Sequence, residues 1–211
     1  MALTLFGITP ATEGQIFVNG QQEVIDTPRR ARDLGIAYIP EDRGLQGLVK
    51  PQSIRENIAH SILDRISRLA FVDRRKERSL AGQGIARFSI KARGPEQVAG
   101  TLSGGNQQKV VLAKWLGTEP NILIMDEPTR GIDVGAKYEI YKLIHAMADE
   151  GKAVIVISSE LPELLGISDR IYTIREGEIT GELAAADADQ ETLMRRMTTT
   201  STAPADPASL S

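Results

Sequence analysis

The chain has 211 residues, enough for one domain with a sizeable core, and carries 25 Lys and Arg against 28 Asp and Glu, a net charge of −3. It has no cysteine, which excludes disulfides and thiolate metal sites, and no basic block that points to nucleic acid. No apolar run approaches the roughly 18–20 residues that span a bilayer, and the opening residues lack the basic flank of a signal peptide, so any membrane role is expected to come through a partner.

Along the chain, Leu3, Leu5 and Phe6 ending at Gly7 predict the last turns of a helix with a glycine cap. Residues 9–14 read as a loop and 15–18 as a short strand, with Asn19-Gly20 a strong hairpin turn. Thr27-Pro28 starts a short helix, threonine as cap and proline at the first helical position. Residues 35–39 predict a buried strand, which runs into Pro40-Glu41-Asp42-Arg43 and a glycine-punctuated loop through Gly47. Ser53-Ile54-Arg55-Glu56 is a capping-box pattern opening a helix. From 62 to 97 the chain is charged and weakly periodic, and 73–78 reads as a solvent face rather than a site.

Residues 102–109 read Leu-Ser-Gly-Gly-Asn-Gln-Gln-Lys, and Val110, Val111, Ala113, Lys114 and Leu116 continue at helical spacing. This predicts a helix N-terminus stripped of bulk. Ser103 is placed to cap it, and the amides of Gly104 and Gly105 face outward with the positive end of the helix dipole, a setting suited to a phosphate. After the break Thr118-Glu119-Pro120, residues 121–128 read Asn-Ile-Leu-Ile-Met-Asp-Glu-Pro. The apolar run predicts a strand buried on both faces, as in a parallel sheet, with Asp126 and Glu127 at its carboxyl end, where open α/β sheets place ligands. One acid there can hold Mg²⁺ through water, and the other can orient an attacking water. Gly131-Ile132-Asp133 follows.

A helix is predicted over 135–150, with Val134, Tyr138, Tyr141, Ile144 and Ala148 on one face as packing residues and His145 at the surface. Residues 153–157 form a third apolar strand that delivers Ser158-Ser159-Glu160, and Pro162 starts a short helix. Residues 170–175 and 178–183 predict a hairpin around Gly177, and 189–197 a short helix. The Thr/Ala/Pro/Ser-rich stretch 198–211 reads as a disordered tail.

In this order and proximity the pieces resemble the ATPase domain of ABC transporters, where an LSGGQ-like signature precedes the Walker B strand, the D-loop and the switch loop. The resemblance implies an α/β, P-loop NTPase-like fold with a mostly parallel sheet, spanning 1–197, with a helical sub-lobe at about 54–117. No Gly-x-x-x-x-Gly-Lys-Ser/Thr occurs in the sequence, so the domain is expected to be partial, without the Walker A loop and truncated at its N-terminal side.

Pro40-Glu41-Asp42-Arg43, the signature written with Asn106, the run 127–137 and Ser158-Ser159-Glu160 together resemble the second ATPase domain of duplicated bacterial sugar-import ATPases of the ribose, galactose and xylose class. That resemblance implies ATP and Mg²⁺ as cofactors. It implies a second ATPase domain, membrane permease subunits and, indirectly, a periplasmic sugar-binding protein as partners, no nucleic acid, and a peripheral place on the cytoplasmic face of the membrane. Leu102, Ser103, Gly104, Gly105, Asn106 and Gln107 would serve a nucleotide held by the partner domain. Asp126 and Glu41 would serve the metal, Glu127 catalysis, Asp133 the D-loop and Ser159 the switch.

Two positions depart from the family pattern. Glu41 stands where a glutamine is usual, and Ser159 where a histidine contacts the γ-phosphate; serine is shorter and carries no charge. These substitutions point to a degenerate site on the domain's own side, while transport-coupled ATP hydrolysis is what the family resemblance implies. The alternative is a non-hydrolysing segment that lends its signature to a partner ATPase domain, or an inactive remnant.

Overall fold

The first segments fold as their caps and turns dictate in the computed structural model, which describes residues 1–68 and 71–198. Helix α1, Ala2–Leu5, is followed by Gly7 at φ +73°. Strands β1 (Ile16–Val18) and β2 (Gln21–Glu23) pair antiparallel across Asn19 and Gly20, at φ +51° and +77°, the left-handed pair that a two-residue hairpin turn requires. Helix α2 (Pro28–Asp33) is capped by Thr27, whose hydroxyl accepts from the Arg30 amide at 3.3 Å. Strand β3, Ile36–Ile39, is buried throughout.

The stretch expected as a loop through Gly47 instead winds into one wide π-type turn, Arg43–Gly47. Asp42 accepts from the amides of Gly44 and Leu45 at 2.8 and 3.0 Å, and the Leu48 amide reaches back to the Arg43 carbonyl. The Asp42 carboxylate satisfies the first amides of the turn, which lets the segment coil where glycine spacing alone suggested irregular chain.

Helix α3 (Ile54–Ala59) opens on the expected capping box: the Ser53 amide donates to Glu56 at 2.9 Å and the Glu56 amide to the Ser53 hydroxyl at 3.2 Å. A short helix α4 (Leu63–Ile66), two-residue strands β4 (Ser67–Arg68) and β5 (Phe71–Val72), and helix α5 (Arg74–Arg87) follow. The charged run at its start is not wholly a solvent face. Glu77 is 4% exposed and ion-paired with the buried Arg55, since a carboxylate can be buried only with a partner.

Helix α6 (Gly104–Leu116) packs on β3, α3 and α5. Strand β6 (Ile122–Asp126), helix α7 (Val134–Asp149) and strand β7 (Ala153–Ile157) follow. The central sheet is parallel in the order β3-β6-β7, with Ile39, Met125 and Val156 in register. One face carries a core of Phe6, Val18, Ile25, Ala31, Tyr38 and Ile124, and Phe6 meets Trp115 of α6 edge-on at 5.4 Å. The other strand pairs are antiparallel.

Helix α7 buries a different stripe from the one predicted. Ile140, Ile144 and Met147 face the core, while Val134 and Tyr138 are 84% and 61% exposed and Ala148 is exposed. The Lys142 ammonium, 4.6 Å from the ring centre, covers Tyr138 in place of a packed neighbour. His145 is exposed as expected.

Residues Met1–Ile157 form one compact unit, and a second begins at Ser158. The second holds helix α8 (Leu161–Ile167), the antiparallel strands β8 (Arg170–Arg175) and β9 (Glu178–Ala184), and helix α9 (Gln190–Thr198). Glu176 and Gly177 form the left-handed turn of that hairpin, at φ +51° and +88°. Asp189 accepts from the Thr192 amide at 2.7 Å before α9, and Leu193 is fully buried. Thr198 closes α9; the rest of the stretch expected as a disordered tail lies outside the described residues. No helix among the described residues is long and apolar enough to cross a membrane.

Candidate functional site

Close approach requires a glycine at position 105 and leaves little room for a side chain at 104. A Cβ at Gly105 would lie 2.6 Å from the Ala136 Cβ, and one at Gly104 would lie 2.7 Å from the Arg43 guanidinium and 3.2 Å from the Gly131 carbonyl. The start of α6 is thereby pressed against residues 131–136, bringing the signature and D-loop candidates together.

Ser103 occupies the N-cap position, but its side chain does not cap the helix. The hydroxyl instead accepts from the Asn106 amide group at 2.9 Å, and the Asn106 carbonyl oxygen accepts from the Lys91 amide at 2.8 Å. Asn106 thus ties Ser103 to the segment before the helix. Gln107 donates to the Leu102 carbonyl at 3.0 Å. Leu102 is buried and Ser103 exposed, so the hydroxyl faces solvent, whereas Gly104 is half-buried beneath Arg43 and Gly105 is buried against Ala136 rather than facing outward.

Asp126 and Glu127 stand half-buried at the carboxyl end of β6, next to the ends of β3 and β7. Tyr38 on β3 donates its hydroxyl to Asp126 Oδ2 at 3.1 Å. Burial, reinforced by the negative Asp126, pushes the Tyr38 phenol up to about 12, so it remains a proton donor to this carboxylate across the physiological range. Glu127 has φ +46°, a left-handed conformation uncommon in a non-glycine residue, and its amide donates to the Ile157 carbonyl at 2.8 Å. Asp133 caps α7 by accepting from the Ala136 amide at 2.9 Å.

Two arginines, neither singled out for a role in the sequence, join these parts. Arg43 donates to the carbonyls of Arg130 and Gly131 at 2.7 and 3.2 Å and lies over Gly104. Arg130 forms an ion pair with Glu41. The Glu41 carboxylate, a candidate metal ligand, is thus engaged by a guanidinium. Beside it lies a cleft of about 350 Å³ lined by Glu41, Arg43, Lys50, Gln107 and Arg130. Tyr38 stood out in sequence only as the one polar side chain in an apolar strand. Ser159 is exposed and belongs to the second unit, where the neighbouring Ser158 hydroxyl donates to Glu163 at 2.6 Å and accepts from the Glu160 amide at 3.1 Å.

Among the described residues no three His, Cys, Asp or Glu side chains converge as a metal cluster. Mg²⁺ needs only one or two carboxylates, with water and phosphate oxygens completing its shell. Asp126, held by Tyr38 at a strand end, fits that requirement better than Glu41.

A family model described as ABC transporter matches residues 1–130. The ribose import ATP-binding protein RbsA 2 of Rubrobacter xylanophilus is 49% identical over 198 residues, 94% of this chain and 38% of that protein. The ribose import ATP-binding protein RbsA of Oceanobacillus iheyensis is 50% identical over 190 residues, covering 90% and 38%. The chain therefore spans well under half the length of these relatives. A nucleotide-free ATP-binding cassette from an ABC transporter superposes with a TM-score of 0.76 at 20% identity, covering 87% of this chain and 74% of that one. A dimeric cassette in a post-hydrolysis state with ADP and Pi gives 0.71 at 19% identity, covering 88% and 79%. The fold is that of an α/β ATP-binding cassette, and the chain belongs to the ABC transporter family.

Proposed function

We propose that the chain acts as part of the ATP-binding component of a ribose-type sugar importer and corresponds to the second ATPase domain of such a component. The observation that carries this reading is the identity of about half its residues, across nearly its whole length, to proteins named ribose import ATP-binding protein. Its surroundings would be the cytoplasmic face of the membrane, with a second ATPase domain and permease subunits as partners and a sugar-binding protein as an indirect one.

Within that component the start of α6 serves a nucleotide held by the partner domain. Ser103 and the amides of Gly104 and Gly105 meet its phosphates, and Asn106 and Gln107 hold the turn. Asp126 holds Mg²⁺ on the domain's own side, with Glu127 orienting water, Asp133 bracing the D-loop and Ser159 at the switch. The Glu41–Arg130 ion pair and the uncharged Ser159 make this own side the weaker half.

The 211 residues hold no Walker A cradle. Charge-assisted bonds to phosphate contribute roughly 1.5–3 kcal/mol each. Lacking three of them removes about 5–9 kcal/mol by the same range, against about −8 kcal/mol for micromolar binding. The chain alone is therefore expected to bind Mg-ATP no tighter than millimolar. The test of the wider reading is a chimera in which this chain replaces the matching segment of a ribose import ATP-binding protein. ATP-dependent ribose uptake should be retained, abolished by Ser103→Arg, and reduced less by Glu127→Gln. A folded, assembled chimera without uptake, or one indifferent to Ser103→Arg, would overturn it.

A further inference from the structure

One guanidinium touches two segments that lie far from it in the chain. Arg43 opens the π-type turn after β3. Its Nη1 donates to the Arg130 carbonyl at 2.7 Å and its Nη2 to the Gly131 carbonyl at 3.2 Å. A Cβ at Gly104 would meet the same Nη2 at 2.7 Å, so the guanidinium rests on the first residue of α6. The turn that carries Arg43 is also strapped to α6 at its far end. A Cβ at Gly47 would lie 2.9 Å from Val111, and Lys114 Nζ donates to the Gly47 carbonyl at 3.1 Å.

As a stabilising contact this is a poor arrangement. Both acceptors are neutral carbonyls rather than carboxylates. The Arg43 Nε is buried and makes no hydrogen bond among the described residues, and a buried donor left unpaired costs free energy. The guanidinium also covers a helix start, where the dipole favours anions, and the first turn of α6 has no acid to offset it. What the arrangement does provide is geometry. The planar fork reaches two successive carbonyls at once, which the single point charge of a lysine does not match.

We infer that Arg43 is a positioning residue, which sets the start of α6 and the turn 130–133 at one fixed spacing so that both meet the partner-held nucleotide together. The inference rests on the reading of α6 proposed above and adds to it a residue outside the signature. Ser103 directly precedes Gly104, and Asp133, two residues beyond Gly131, caps α7. Both therefore move with the groups that Arg43 holds. A displacement of about 1 Å at a reacting site can cost about a hundredfold in rate, even when the residue responsible never touches the substrate.

The first arm of the test is hydrogen exchange on the 211-residue chain. The Gln107 and Lys137 amides close the first turns of α6 and α7, each 2.9 Å from its carbonyl, while amides 123–125 lie in the buried strand β6 and report global opening. In Arg43→Ala, exchange at 107 and 137 should quicken at least tenfold more than at 123–125. Equal quickening throughout, or none, would overturn the inference, since a merely stabilising arginine shifts these amides alike. Should Arg43→Ala fail to fold, Arg43→Lys decides. It keeps the charge and loses the fork, so the same selective quickening is expected, and parent-like exchange refutes the clamp. The second arm uses the chimera described above. Arg43→Ala should lower kcat for ATP hydrolysis at least tenfold and leave KM within twofold. A raised KM at unchanged kcat would mean that the guanidinium itself binds the nucleotide, and would overturn a positioning role. A parent chimera without uptake would defeat the importer reading alone, and the exchange arm would still judge the clamp.

Discussion

Gly105→Ala sets two known effects against each other at the signature. Alanine in a helix is favoured over glycine by up to about 1 kcal/mol. The new Cβ, however, would lie 2.6 Å from the Ala136 Cβ and 3.5 Å from Ile132 Cγ2, and ordinary contact begins at 3.4 Å, so α6 and the start of α7 must separate by about 1 Å. Overpacking of this kind costs about 1–3 kcal/mol. The steric term wins, and a net loss of about 1 kcal/mol is expected, with 2 as the upper end. The assay is urea unfolding followed by Trp115, the single tryptophan, which sits on α6 itself. Ala136→Gly removes the clashing methyl. The double variant should recover to near the parent even though Ala136→Gly alone costs up to about 1 kcal/mol in helix propensity. Stabilisation by Gly105→Ala, or strict additivity of the two substitutions, would show that the two helix starts are not pressed together as described.

Arg55→Ala should destabilise the chain by about 3–5 kcal/mol in the same unfolding assay, because it leaves Glu77 buried and unpaired, whereas Arg55→Met/Glu77→Leu should recover most of the loss. The Lys109 ammonium bonds Glu139 between α6 and α7, and this hydrogen bond and charge hold the Glu139 carboxyl below its ordinary value of 4.5. A depressed folded value means stabilisation that is complete above pH 4.5 and lost as pH falls below it through the folded value; Glu139→Gln should flatten the acid limb of a stability–pH profile, and an unchanged limb would refute the pairing.

Much of the chain was legible because its signals are local. The Asn19-Gly20 hairpin, the Thr27 cap and the Ser53–Glu56 box each involve residues within a few positions of one another, so spacing alone decides them. The position of Asp126 and Glu127 at a strand end followed from an apolar run stopping at two acids. The three-strand parallel sheet was legible as a class, because a strand buried on both faces excludes alternation.

What tertiary structure decided is which of several locally equivalent choices found a partner. Apolar residues lie nearly all round α7, and Ile144 belongs to both the predicted and the observed stripe. Only the elements packed on that helix select Ile140 and Met147 over Val134 and Tyr138. The Tyr38–Asp126 hydrogen bond and the Arg43 clamp on Arg130 and Gly131 each join residues nearly ninety positions apart. Glu77 looked like one more charge in a solvated run until Arg55 came to meet it. Caps, turns and periodicity are set by neighbours along the chain. Buried charge, strand register and the closeness of two helix starts depend on groups that only folding brings together.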